Sequence, residues 1–280
     1  NNNDFASNNL TESDISVDSP TNNFCTLNPI STAATYSEGN TKVTTTVASS
    51  VPYKQIIFST FSVNSGKYYW EYNPTDLSGV LVLGCSSGEP TNSNKHNNWG
   101  SAGANLYAEG GGVYAASSEG TFSSYTAGDI IGVALDMDNN RIYFAKNNTW
   151  QDSANPSSGT GYFTITNTNN GYQCPVISND HTSNNCTVIA NFGQDSSFAG
   201  HKTAQGNQDS NEIGDFYYEP PSGFLALCTS NLPDATVTPS EHFNTVLWSG
   251  DGTDDRGITG VGFQSDFTWI KGRNTTEWHH

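Results

Sequence analysis

The sequence predicts an all-β protein: an antiparallel bent β-sandwich followed by the start of a second β-rich domain. Three observations predict it. Aromatic residues make up 12% of the 280 residues while charged residues make up only 13%, so the chain is rich in core-forming rings. Asn, Ser and Thr carry most of the remaining polarity, which keeps helix propensity low nearly everywhere and favours strands joined by polar loops. From residue 56 onward, short apolar or alternating runs are broken by Gly, Asn and Ser about every 8 to 12 residues, the spacing of a sandwich.

Taken in order, "QIIFSTFSV" leads through Asn64-Ser65-Gly66 into "KYYWEY", where Tyr68, Trp70 and Tyr72 share one face and Tyr69 and Glu71 the other. This predicts a hairpin with a half-buried second strand. The continuous apolar run "GVLVLGCSS" suits a central strand covered on both sides. A long polar loop over 87–105 holds Trp99, and two short strands around Tyr107 and Tyr114 follow it, joined through Gly110-Gly111-Gly112. In "DIIGVALDMDNNRIYFAKNNTW", Ile131, Val133, Leu135 and Met137 alternate with Ile130, Ala134 and Asp136, and the return strand puts Ile142 and Phe144 on one face. "GYFTITNT" and "GYQCPVIS" flank Asn169-Asn170-Gly171, a strong hairpin signal, and "CTVIANFG" closes the set at about nine strands.

Residues 199–215 have almost nothing to bury and read as a linker or surface loop, after which "FYYEPPSGFLALC" brings more rings around a Pro-Pro turn. A second strand-rich stretch begins near His242 with "FNTVLWSGDG", "GVGFQ" and "FTWIKG"; three strands bury little core alone. The expected organisation is therefore an N-terminal extension with first strands over 1–49, the sandwich over 50–198, a linker and docking segment over 199–240, and an incomplete β domain over 241–280.

Charge narrows the partners. Ten Lys and Arg against 27 Asp and Glu give a net charge of −17, and without clustered cations nucleic acid is not an expected ligand. No run approaches the roughly 20 apolar residues of a membrane span, so no membrane insertion is expected. "NNNDFASNNL" lacks the basic start and apolar core of a signal peptide, and both chain ends read as the middle of something longer. The five cysteines, Cys25, Cys85, Cys174, Cys186 and Cys228, form no C-x-x-C and have no His at ligand spacing, so zinc is not expected. Cys174 and Cys186 flank a polar turn, either bridged across a hairpin or as two reduced thiols on neighbouring strands.

No catalytic group, metal or cofactor site emerges. Asp136-Met137-Asp138-Asn139-Asn140 spaces oxygens like a calcium loop, but Arg141 and Asn147 stand where that loop needs Gly and Glu. The segment reads as a turn with Asn139 and Asn140 left-handed. Gly84-Cys85-Ser86-Ser87-Gly88 fits a nucleophile elbow, yet no helix follows to expose the Ser86 hydroxyl. Glu71 lacks the second carboxylate that glycoside hydrolysis requires. Asp251, Asp254 and Asp255 cluster in a loop, as a calcium site or, more commonly, a solvated acidic turn. Asn9, Asn147, Asn185 and Asn274 head N-x-S/T sequons that chance supplies in so Asn-rich a chain.

"SGKYYWEY", "AGDIIGVALDMDNNRIYFAKNNTW", "CPVISND" and "CTVIANFGQDSSFAG" follow, in order, a pattern that resembles SPRY-like domains, bent sandwiches of concanavalin type, over roughly residues 50–198. The flanks "DSPTNNFCTLNPI" and "PPSGFLALCTSNLPDATV", with the run from Phe243 to Asn274, look like segments of phage tail-associated proteins. The resemblance implies a non-enzymatic structural or adhesion module of a virion tail appendage, with other tail proteins and copies of itself as partners. Such a module presents loops to a host-surface glycan or protein. Flat rings with amide neighbours, His96, Asn98, Trp99, Tyr107 and Trp150, are the ligand-binding candidates, with plugging of the sandwich ends as the alternative for the two tryptophans. A secreted or cell-surface carbohydrate-binding protein of a bacterium is the alternative function.

Overall fold

A computed structural model describes residues 17–30, 34–45, 55–87, 104–114, 122–165, 171–179, 181, 183–233 and 237–273. The chain divides into two units, Asn1–Leu232 and Pro233–His280.

The first unit is an antiparallel β-sandwich. Its strands are β1 (Ala34–Ser37), β2 (Lys42–Thr45), β3 (Gln55–Phe58), β4 (Lys67–Leu77), β5 (Leu81–Ser86), β6 (Ala104–Ala108), β7 (Val113–Tyr114), β8 (Ile131–Asp136), β9 (Arg141–Lys146), β10 (Thr149–Trp150), β11 (Phe163–Thr164), β12 (Cys174–Asn179), β13 (Cys186–Asn191) and β14 (Leu225–Ala226). One sheet runs β1-β2-β13-β4-β8-β9-β10, with β11 on β9 and β14 on β4; the other runs β3-β12-β5-β6-β7. Among the described residues, only β14 pairs in parallel.

The core between the sheets follows the alternation. Tyr68, Trp70 and Tyr72 of β4, Ile131, Val133 and Leu135 of β8, and Ile142 and Phe144 of β9 meet Ile57, Leu83, Cys85, Tyr107 and Ile177 from the facing sheet. β5 is buried along its whole length between β12 and β6, as its unbroken apolar run predicts.

Strand pairing departs from the sequence expectation at three turns. β3 and β4 form no hairpin, because Asn64-Ser65-Gly66 carries the chain from one sheet to the other. β11 and β12 likewise lie in opposite sheets, as do β12 and β13. A Gly with positive φ, such as Gly66 at +83°, reverses the chain but does not choose the sheet in which the next strand lands. β4 is also buried on both faces rather than half-buried.

The second face of β4 is covered by residues 207–231, which were expected to begin as a linker. Phe216, Phe224, Ala226 and Cys228 from this strap pack with Tyr69, Ala134, Tyr143 and Phe24. Gly132 makes room here, since a Cβ would lie 2.9 Å from the Tyr69 hydroxyl. The N-terminal flank joins the same layer. The Cys25 amide donates to the Leu227 carbonyl, the Asn23 amide to the Thr229 hydroxyl and the Thr229 amide to the Asn23 carbonyl, each at 2.9 Å.

The described residues of the second unit form no strand ladder, and a single 3₁₀ turn spans Pro239–Glu241. The runs expected as strands hold no strand among the described residues, and the first and third expose Phe243, Leu247, Trp248, Phe267 and Trp269.

Candidate functional site

The oxygen-rich segment Asp136 to Asn140 joins the ends of β8 and β9. The connection is a four-residue turn, Met137 to Asn140, between the paired residues Asp136 and Arg141. Asn140 alone is left-handed (φ +55°), which corrects the expectation that Asn139 shares that conformation. The oxygens already have donors. Asp136 accepts from the Asn139 amide at 3.0 Å and pairs with Lys67 at 3.2 Å, and Asp138 accepts from the Gly66 amide at 2.7 Å. The segment is a turn that ties β8 to the start of β4.

Other motifs resolve in the same way. Ser86 is fully buried at the end of β5, opposite Ala104 and Cys174, so its hydroxyl is not presented as an elbow nucleophile must be. All five cysteines are buried free thiols, and Cys174 and Cys186 lie in opposite sheets rather than across a hairpin. Burial pushes the Cys25 and Cys186 thiols up to about 12, which suppresses the reactive thiolate. In the second unit the Asp251 carboxylate accepts from the Thr253 hydroxyl at 2.7 Å and pairs with Arg256 at 3.0 Å. No group of three metal-binding side chains occurs among the described residues.

Of the five ligand-binding candidates, His96, Asn98 and Trp99 lie outside the described residues. Tyr107 is a core residue, which corrects its expected role. β6 aims it between the sheets, where its ring meets Phe122, Tyr125 and Phe144 edge-on with centroids 5.1, 5.0 and 5.8 Å away. Its hydroxyl donates to the Ser123 carbonyl. A ring enclosed on three sides offers no face to a ligand.

Trp150 is placed differently. Asn147 and Asn148, both left-handed, turn the chain into β10, where Trp150 sits opposite Ala145 on the outer face of β9. It is half-buried and edge-on to Tyr69 at 6.4 Å. Asn147 holds the turn shut by donating to Asp129 at 2.7 Å and accepting from the Ile130 amide at 2.8 Å.

Along the same face, alternation brings up Arg141 and Tyr143 beside Tyr162, which precedes β11. The Arg141 guanidinium carbon lies 4.3 Å from the Tyr162 ring centroid, and Tyr162 remains 42% exposed. Arg141 also donates to the Gly159 carbonyl at 3.2 Å, which fixes the stack. Tyr143 supports Tyr162 edge-on at 6.3 Å. The stack of Arg141 on Tyr162 thus offers a ring and a cation, with Trp150 further along the same face of β9, suited to stacking on a ligand ring or on sugar C–H groups while donating to a carbonyl or carboxylate. The alternation in "RIYFAK" places Arg141 and Tyr143 outward, but Tyr162 is separated from them by an irregular loop and gives no periodic signal.

Glu71 is the residue that sequence reasoning missed. It is fully buried on the outer face of β4. Its Oε1 accepts from the Tyr69 hydroxyl at 3.0 Å and the Tyr218 amide at 2.8 Å; its Oε2 accepts from Asn191 Nδ2 at 3.2 Å and the Tyr217 amide at 2.9 Å. Burial raises its carboxyl to about 7, and the four donors hold it from rising further. Asp209 plays the same part inside the strap, accepting from the amides of Asn211, Ile213 and Ala226 and from Asn231 Nδ2.

Residues 67–195 match the SPRY domain family, and residues 238–280 match a domain of unknown function, DUF7483. No curated protein sequence shows a significant match. Among solved structures, the SPRY domain of human HERC1 is similar at 21% identity and a TM-score of 0.45, covering 59% of this chain and 96% of that one. Stonustoxin is similar at 19% identity and a TM-score of 0.42, covering 60% of this chain and 27% of its own length. The described strands form an antiparallel β-sandwich, and its residues 67–195 are similar to the SPRY domain family.

Proposed function

We propose that the sandwich is a non-enzymatic recognition module of a virion tail appendage, binding a host-surface protein or glycan through the outer edge of β9. The single observation that carries the recognition role is the half-exposed stack of Arg141 on Tyr162 at the outer face of β9. SPRY domains typically mediate protein interactions, and this surface has the ring and guanidinium chemistry that dominates binding hot spots. Other tail proteins and copies of the chain are its structural partners in this reading, and the virion is its location.

The alternative, a secreted bacterial carbohydrate-binding protein, is less favoured because all five cysteines are buried thiols in the fold, as suits assembly in a reducing compartment. Printed glycan and peptide arrays test the recognition role. The expected result is a specific hit whose binding weakens about tenfold or more in the Arg141→Ala, Tyr162→Ala double variant. A hit unchanged in that variant overturns the assignment of the site. Alkylation in denaturant without reductant tests the compartment: five labelled cysteines are expected, and two protected ones would favour the secreted protein.

A further inference from the structure

Glu71 lies under the strap, linked to Trp150 through Tyr69, and its surroundings suggest a use of their own. Its four donors are neutral dipoles, and two of them are successive backbone amides of the strap. Each element packed against it contributes neutral or acidic groups. β4 supplies Tyr69, and β13 supplies Asn191, which also donates to the Asp215 carbonyl at 2.9 Å. The strap supplies Tyr217, Tyr218 and Asp215, and beyond Tyr218 lies Asp129, itself paired with Lys146 at 3.2 Å. Lys67 pairs with Asp136 and Lys146 with Asp129, and neither pair includes Glu71. A charge buried without a counter-ion is costly, and protonation relieves that cost.

We propose that Glu71 is a proton-linked latch: it holds the Asp215–Glu219 stretch of the strap against β4, and its ionisation loosens that stretch. The sign follows from linkage. The carboxyl ordinarily titrates near 4.5 and is held at about 7 when the strap is docked, so the docked form binds the proton more tightly. Docking is therefore firmest below the ordinary carboxylate range and weakens as pH rises through about 7. Tyr69 and Tyr218 do not compete, since burial raises both phenols above their ordinary value of 10.0. Opening would bare Tyr69 of β4 and part it from Phe216 of the strap, whose ring packs 5.3 Å away.

Amide hydrogen exchange on the full chain tests the latch, read as protection factors so that the intrinsic pH dependence of exchange is removed. Protection of the Tyr217 and Tyr218 amides is expected to fall about tenfold or more between roughly pH 5 and pH 8, while that of the β8 and β9 ladder stays level. In Glu71→Gln the fall is expected to vanish. In His201→Asn, which removes an exposed imidazole on the neighbouring loop, it is expected to persist. Should Glu71→Gln not fold, Tyr69→Phe serves instead: it removes one donor to the carboxylate, and the midpoint of the fall is expected to move upward. Level protection in the native chain, a fall that survives Glu71→Gln, one abolished by His201→Asn, or a midpoint unmoved in Tyr69→Phe would each overturn the proposal.

Discussion

The two faces of β4 over Tyr68–Pro74 are both closed to water, but by different means. The inner face is sealed by side chains alone: Trp70, Tyr68 and Tyr72 interdigitate with aliphatic residues of the opposite sheet. The outer face pairs a thinner layer of rings with hydrogen bonds, in which Glu71 and Asp209 gather backbone amides of an irregular segment that has little ladder of its own. Adjacent residues of one strand, Trp70 and Glu71, anchor the two solutions, and both have no exposed surface. An irregular segment can cover a sheet, then, when buried carboxylates supply the acceptors that a neighbouring strand would have supplied.

The contrast predicts graded losses. Trp70→Ala leaves the largest cavity and is expected to lower stability by ~3–5 kcal/mol, with cooperative loss of both sheets, measured by denaturant unfolding. Asp209→Ala is expected to cost ~2–3 kcal/mol, because it strands donors that are buried. Its effect should be confined to the strap, read as protease cleavage within 199–231 before the sheets unfold. Cleavage that begins instead in β8 or β9 would show that strap and sheets are one cooperative unit. Arg141→Ala removes an exposed stack and is expected to change stability by under ~1 kcal/mol, so that any larger loss would assign Arg141 to the fold rather than to the surface.

The inner face was legible in the sequence because rings and branched aliphatics at every second position leave few ways to place a strand. The outer face was not. Glu71 was placed on a strand face without a partner and Asp209 within a linker, and Glu71 meets Tyr217 146 positions along the chain, far beyond any local pattern. The turns were legible as turns, but "NSG" and "NNG" say only that the chain reverses. In a two-sheet protein the next strand then joins whichever sheet offers its apolar face a partner. Tyr107 failed as a binding candidate for a related reason: a Tyr beside a polar loop looks exposed until the strand's register sends it inward.

The pairing of Asn23 with Thr229 has a consequence at the scale of the whole polypeptide. Where a domain's first and last segments are hydrogen-bonded side by side, the chain leaves near the point at which it arrived. Such a domain hangs from a longer protein like a bead on a loop, and inserting it or exchanging it leaves the path of the rest of the polypeptide almost unchanged.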